Sequence, residues 1–302
     1  MRTPVALVVF NRPEQTRQVF AAIAAARPPV LLVVADGPRP DREGEAERVA
    51  QVRAIATAVD WPCDVRTNFA PVNMGCKRRV SSGLDWVFSE VERAIILEDD
   101  CLPSPAFFDF ADAMLDRYCD DRRVFSVTAS NFSGATEPDG HYFSNYATVW
   151  GWATWRDRWA CYDVAPAMPA GLLRRLWARH PLVYLTWRRT FRELTRGRID
   201  TWDFQWILTL WRADALAVRP TVNLVRNIGF GEDATHTHDA ASPTGRMAVW
   251  DGDPRLLDRP RSPVAADAAR DAVDHRVWAF ATPRAVATAY LPWLGRLKRL
   301  FT

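Results

Sequence analysis

Ala94-Ile95-Ile96-Leu97-Glu98-Asp99-Asp100 is an apolar run that stops on three consecutive carboxylates. A short continuous apolar run of this kind marks a strand buried on both faces, as in a parallel sheet. The acids that follow then sit at the strand's carboxyl end, where open α/β sheets bind their ligands. Adjacent carboxylates repel unless a cation lies among them, and a hard divalent ion with oxygen ligands suits them. A solvated acidic turn is the other reading of the same residues.

The pattern recurs on either side. Val5–Phe10 and Val30–Ala35 are further buried strands, the second stopped by Asp36-Gly37-Pro38. Between them, Asn11 and Glu14 are spaced like a capping box, and Pro13 suits a first helical turn. Val19, Phe20 and Ile23 continue that helix, and Val49, Val52, Ile55 and Val59 stripe a second one within Arg42–Val59. Cys63–Thr67 is a short strand. Asn73-Met74-Gly75 is a turn, and Val80, Leu84, Val87 and Val91 mark the next helix. Phe107, Phe108, Phe110, Met114 and Leu115 belong to another, ahead of a strand at Val124–Ala129. Repeated β-α-β units predict an α/β fold, a mixed but mostly parallel sheet with helices on both faces.

The second half predicts a strand at Tyr142–Trp150 and helices at Ala153–Tyr162, Gly171–Arg179 and Pro181–Arg196. Asp200-Thr-Trp-Asp203-Phe-Gln-Trp206 opens another helix, with short strands at Ala215–Arg219 and Val222–Val225. Asn227–His238 reads as a polar loop, and Asp239–Ser262 as irregular chain rich in Pro, Gly, Asp and Arg. The expected organisation is one core domain over residues 1–238 and an appendage over 239–302.

With 39 Lys+Arg against 36 Asp+Glu, the 302-residue chain is too balanced for a dedicated nucleic-acid binder. Five cysteines without a C-x-x-C pair argue against a zinc site or disulfide framework and fit a reducing compartment. No stretch approaches the ~18 apolar residues of a membrane span. The apolar N-terminus runs straight into Asn11-Arg12-Pro13-Glu14 and reads as a strand, not a signal peptide, so a cytoplasmic location is expected. G-x-G-x-x-G, G-x-x-x-x-G-K-[ST] and G-x-S-x-G are all missing, which disfavours dinucleotide-binding, P-loop and α/β-hydrolase chemistry.

Taken in order, these pieces resemble the GT-A glycosyltransferases, in particular the N-acetylglucosaminyltransferase I family and bacterial family 2-like transferases. The matching segments are Asn11-Arg12-Pro13-Glu14, Val33-Val34-Ala35-Asp36-Gly37, Gly75-Cys-Lys-Arg-Arg79 and Ile95–Asp100 with Pro105–Phe108. They continue with Val127–Asn131, Gly151-Trp152, Trp202-Asp203 with Trp206, Val218–Pro220 and Gly229–His236. The resemblance implies a nucleotide-sugar donor, UDP-linked, and transfer of its sugar with inversion to a glycan or lipid-linked acceptor hydroxyl. Asp100 looks like the ligand to Mn²⁺ or Mg²⁺, and Glu98 and Asp99 look like hydrogen-bonding partners of the ribose or donor sugar. Asp36 resembles the uracil-binding acid, although an Asp-Gly turn explains it equally well. Asn11 and Arg12 lie at the nucleotide end of the resemblance, and Arg12 is alternatively a surface arginine capping a carboxylate.

Inverting transfer needs a carboxylate base for the acceptor hydroxyl. The family carries two acids between the tryptophans of this segment, whereas this chain has Asp-Phe-Gln, which leaves Asp203 first and Asp200 second. A helix N-cap is the other reading of Asp203. His236, and less closely His238, resembles the family's loop histidine near the diphosphate and ion, which makes His236 the second expected ion ligand; a solvated loop histidine is the other reading. Lys77 is a phosphate contact or a solvated helix start. Trp150, Trp152 and Trp155 are either the floor of a sugar site or core. Residues 287–302 mix Tyr290, Leu291, Trp293 and Leu297 with Arg296, Lys298 and Arg299, the makings of a peripheral contact with the inner membrane face. Pro292 and Gly295 interrupt them, so packing on the domain is the alternative. Two other functions compete: a catalytically silent glycan-binding module, and a sugar nucleotidyltransferase, which would want a glycine-rich basic loop after the first strand.

Overall fold

The computed structural model describes residues 1–166, 181–229 and 247–277. The first third alternates strands and helices: β1 (Val5–Val9), α1 (Pro13–Ala26), β2 (Val30–Ala35), α2 (Glu45–Ala56), β3 (Asp64–Phe69), α3 (Cys76–Glu90) and β4 (Arg93–Glu98). There follow β5 (Cys101–Pro103), α4 (Pro105–Arg117), β6 (Val124–Thr128), β7 (His141–Ser144), β8 (Trp152–Trp155) and α5 (Arg156–Trp159). The remainder comprises α6 (Pro181–Thr195), α7 (Asp203–Arg212), β9 (Leu216–Pro220), β10 (Val225–Asn227), a 3₁₀ turn at Pro254–Leu257 and α8 (Ala268–Val277).

The main sheet has eight strands in the order β3-β2-β1-β4-β8-β6-β9-β7. Its first four strands are parallel, with Val5 opposite both Leu31 and Ile95. β8 runs antiparallel between β4 and β6, and β7 antiparallel at the far edge beside β9. A separate ribbon pairs β5 with β10 antiparallel.

Alternate residues of the central strands face opposite layers, which explains their unbroken apolar character. Leu7, Leu31, Val33, Ile95 and Leu97 meet α1, α2 and α4 through Val19, Ile23, Val52, Phe107 and Met114. On the other face, Ala6, Val8, Leu32, Val34 and Ile96 meet α3 and α7 through Leu84, Val87, Trp206 and Leu210. β3 is largely exposed and carries Asp64 and Arg66, charges that blunt an edge strand against further pairing.

Three expectations are corrected here. Of the strand expected at Tyr142–Trp150 only residues 142–144 are strand, in β7; residues 145–151 are irregular, and β8 begins at Trp152, beyond the expected range. Residues 153–155 belong to β8 rather than to a helix, because Ala153 and Thr154 pair with Ile95 and Ala94. No capping box forms at α1: Asn11 donates to Glu45 Oε1 (2.9 Å), and Arg12 is the N-cap without a side-chain cap bond.

The expected boundary at 238 and the helix at 171–179 fall outside the described residues. Residues 247–277 pack into the body of the domain. Leu257 joins the core. Its carbonyl accepts from His141 Nδ1 (2.7 Å), so a neutral His141 accepts the hydrogen bond of the Tyr118 hydroxyl at Nε2 (2.7 Å). Burial holds His141 below its ordinary pKa, consistent with that neutral form. Arg219 of β9 forms a fully buried ion pair with Asp274 of α8, and its guanidinium also donates to Ser130 O (3.0 Å). Asp271 accepts from Ser144 Oγ (2.6 Å), and Tyr146 hydroxyl is bonded to His275 Nε2 (2.7 Å). Among the described residues, no helix is long and apolar enough to cross a membrane.

Candidate active site

Because β1, β2 and β4 are parallel, their carboxyl ends open on one edge of the sheet. Arg12 follows β1, Asp36 follows β2, and Glu98-Asp99-Asp100 ends β4, so the topology brings these residues together. Arg12 Nη1 donates to Asp100 Oδ2 (2.9 Å) and lies 3.7 Å from Asp99 Oδ1. Asp99 Oδ2 accepts the Phe10 backbone N–H (3.1 Å).

One guanidinium does not offset three crowded carboxylates. Burial, then the charge of Asp100, pushes Asp99 up to about 7, against the pull of Arg12. Burial and the charges of Asp100, Asp99 and Asp203 likewise raise Glu98 well above the ordinary range. Asp203 of α7 therefore lies within electrostatic range of the acidic end of β4, although more than a hundred residues separate them in sequence. Its Oδ1 accepts the Thr201 hydroxyl and the Phe204 N–H (2.9 Å), bonds that fix the carboxylate at the first turn of α7. Trp202, not Asp203, occupies the N-cap.

Asp200 stands at another helix start. Gly75, the N-cap of α3, has φ 79°, and a Cβ there would lie 3.0 Å from Asp200 Oδ2. A carboxylate at a helix N-terminus is favoured by the orphan N–H groups and the helix dipole. Asp36 is buried and already engaged: Oδ1 accepts the N–H groups of Gly37 (2.8 Å) and Met74 (2.9 Å), and Oδ2 accepts Asn73 Nδ2 (2.9 Å). Burial raises its pKa despite those bonds. The carboxylate thus latches the 73–75 turn.

Lys77 is half-buried in the first turn of α3, while Arg79 turns inward to Asn68 O (2.5 Å) and Oδ1 (2.7 Å). Trp152 corrects the expectation of a sugar-stacking floor. It is fully buried, stacked on Trp202 (5.5 Å, 29°) and packed on Trp159 and Trp206, so no face is open to a ligand. Trp155 is also buried, donating to Leu115 O (3.2 Å). His236, His238 and residues 287–302 lie outside the described residues.

Several residues at this edge escaped the sequence reading. Cys76, first in α3, is half-buried and feels Glu98, Asp203, Asp200 and Asp100; burial and these charges raise its thiol pKa strongly. Tyr162 stacks on Trp159 (4.3 Å, 11°) and donates to Trp202 O (3.1 Å), beside Asp203. Burial, followed by the Asp203 charge, raises its pKa too. Asn73 holds Asp36, and Glu45 anchors Asn11 and Arg39. The partial signal for Asn73 is its turn; Cys76 and Tyr162 meet the acidic groups only through the fold, and Glu45 meets Asn11 34 residues away.

No family model and no curated protein matches the chain. Among solved structures it is similar to a UDP-glucose pyrophosphorylase complexed with UDP-glucose, at 8% identity and TM-score 0.40, over 76% of this chain and 94% of that one. It is also similar to 4-diphosphocytidyl-2C-methyl-D-erythritolsynthase from Anaerococcus prevotii, at 11% identity and TM-score 0.36, over 59% of this chain and 83% of that one. A third is mouse xyloside xylosyltransferase 1 in its apo form, at 10% identity and TM-score 0.34, over 69% of this chain and 81% of that one.

Proposed function

We propose that the chain is a nucleotide-sugar-using transferase, and more narrowly a metal-dependent GT-A-type glycosyltransferase that moves a sugar from a UDP-linked donor to an acceptor hydroxyl with inversion. The observation that carries this reading is the convergence, on the carboxyl edge of the parallel strands, of Asp36, Arg12 and Glu98-Asp99-Asp100, with Asp203 of α7 within electrostatic range of Glu98. The resemblance drawn from the sequence motifs supports the same assignment.

The donor set fits a hard divalent cation: carboxylate oxygens, partly buried, with more negative charge than Arg12 offsets. No group of three ligating side chains surrounds one point among the described residues, so a bound ion would take most of its ligands from elsewhere, as Mg²⁺ does with substrate phosphates. Asp100 would hold it, and the ion would neutralise charge developing on the departing diphosphate. Arg12, now on Asp100, is within reach of the same charge. Asp203 takes the acceptor hydroxyl proton. Its Oδ1 is occupied by Thr201 and Phe204, which leaves Oδ2 for the task. As the acceptor oxygen bonds to the anomeric carbon, the bond to the diphosphate oxygen breaks and UDP leaves with the electron pair.

A sugar nucleotidyltransferase is the neighbouring reading. Here, however, Asn11-Arg12-Pro13 turns directly into α1, and Arg12 is bound to Asp100 rather than presented by a glycine-rich loop. The test is a product assay with Mn²⁺. Release of UDP from a UDP-sugar is expected. Pyrophosphate from UTP and a sugar 1-phosphate would instead assign the neighbouring activity, and no product with no nucleotide binding would assign a silent glycan-binding module.

A further inference from the structure

We infer that Gly229 is a positioning residue for Asp100, the seat against which that carboxylate is held. The inference rests on the reading of Asp100 as the cation's ligand and adds a residue to that site.

The acidic turn is clamped by chain from far along the sequence. β10 pairs with β5, placing Asn227 opposite Cys101. The next residue, Ile228, donates its N–H to Asp100 O (2.7 Å). Gly229 N–H then turns back to Asn227 Oδ1 (2.8 Å), which sets its Cα against the Asp100 side chain. A Cβ on Gly229 would overlap Asp100 Oδ2 and lie 2.7 Å from its Cβ and 2.8 Å from its Cγ. Real Cβ atoms essentially never approach so closely. The backbone of Gly229 lies outside the left-handed region, so glycine is required here for space and not for conformation.

The other sides of the carboxylate are also fixed. Cys101 Sγ contacts Oδ1 (3.4 Å), and Arg12 Nη1 donates to Oδ2 (2.9 Å). Moving the Asp100 carboxylate away from an added methyl group would therefore cost it one or both of these contacts. A substitution at Gly229 must displace either the carboxylate or the β5–β10 ribbon.

The test is a four-protein cycle of the parent, Gly229→Ala, Asp100→Gly and the double variant. Asp100→Gly removes the three atoms nearest the new Cβ. Stability is read by urea unfolding, and Mn²⁺ affinity in the presence of UDP by electron paramagnetic resonance of the free ion. Gly229→Ala is expected to be destabilised and to bind Mn²⁺ about 10- to 100-fold more weakly than the parent, the range for residues that orient metal ligands. Its stability cost should largely vanish in the Asp100→Gly background. Equal cost in both backgrounds, or parental Mn²⁺ affinity in Gly229→Ala, overturns the inference. Should Gly229→Ala fail to fold, a folded double variant supports the seat and an unfolded one refutes it. If the parent binds no Mn²⁺ with UDP while the stability coupling is present, the seat stands and the proposed function fails.

Discussion

The two halves of the sheet use charge in opposite ways. In the parallel half, β3-β2-β1-β4, ionisable groups gather at one open edge, where Arg12 is outnumbered by Glu98, Asp99 and Asp100. In the mixed half, β8-β6-β9-β7, they are buried and matched: Arg219 with Asp274, Asp271 with Ser144 and Asn145, His275 with Tyr146. An unmatched cluster is costly to hold together and is suited to receiving a ligand; a matched one closes a structure. Carboxylates of the first kind should govern chemistry, and those of the second kind stability.

The contrast can be broken by exchanging those effects. The largest expected effect is on rate: Asp203→Asn should lower sugar transfer by roughly 10²–10⁴, with its unfolding midpoint close to the parent's. Loss of fold instead would give Asp203 a structural role in the first turn of α7 and return the base to Asp200. Next comes Asp274→Ala, which strands Arg219 in the core. Breaking a buried pair costs about 3–5 kcal/mol, readable by urea unfolding, while turnover per folded molecule should not change. A small stability loss there, with lost turnover, would erase the distinction between the halves.

A smaller effect separates the halves by pH. Glu45, bound to Arg39, is held at about 2, below its ordinary value. A depressed carboxyl stabilises the fold above its unfolded pKa, and that contribution is lost as pH falls from about 4.5 to about 2. Asp271 is shifted the other way, by burial that its hydrogen bonds with Ser144 and Asn145 do not offset. Its contribution is complete below the unfolded pKa and declines as pH rises through the raised value. Glu45→Gln should therefore flatten the acid limb of a stability–pH curve, losing about 1.5 kcal/mol near neutrality, the lower end for a charged hydrogen bond because Arg39 is partly exposed. Asp271→Asn should flatten the decline with rising pH. The same slope in both variants would contradict the opposite signs.

The difference between the halves also explains what was legible in the sequence. β1, β2 and β4 are continuous apolar runs, and their bounds agree with the expected ones to within a residue or so. That pattern is local, so the acids after them could be found by inspection. The mixed half is specified by partners far apart: Trp152 with Trp202 and Trp206, Arg219 with Asp274, His141 with Leu257. Hence Tyr142–Trp150 reads as a strand although only its first three residues are one, and Trp152 reads equally as sugar floor or core, because an aromatic residue beside a glycine looks alike in both settings. Cys76 and Gly229 were invisible as site residues for the same reason, since each acquires its meaning only where α3 and β10 reach the acidic turn.

On the proposed function, the parallel edge binds a nucleotide diphosphate through a cation on Asp100. The most direct test of that binding is thermal stability with UDP, with and without Mn²⁺, for the parent and Asp100→Ala. Binding stabilises by RT ln(1 + [L]/Kd), about 2.7 kcal/mol at a hundredfold excess over Kd. A UDP-induced rise that requires Mn²⁺ and disappears in Asp100→Ala is the predicted result. A folded parent that is indifferent to UDP and Mn²⁺ together, or an Asp100→Ala variant that responds as the parent does, would contradict it.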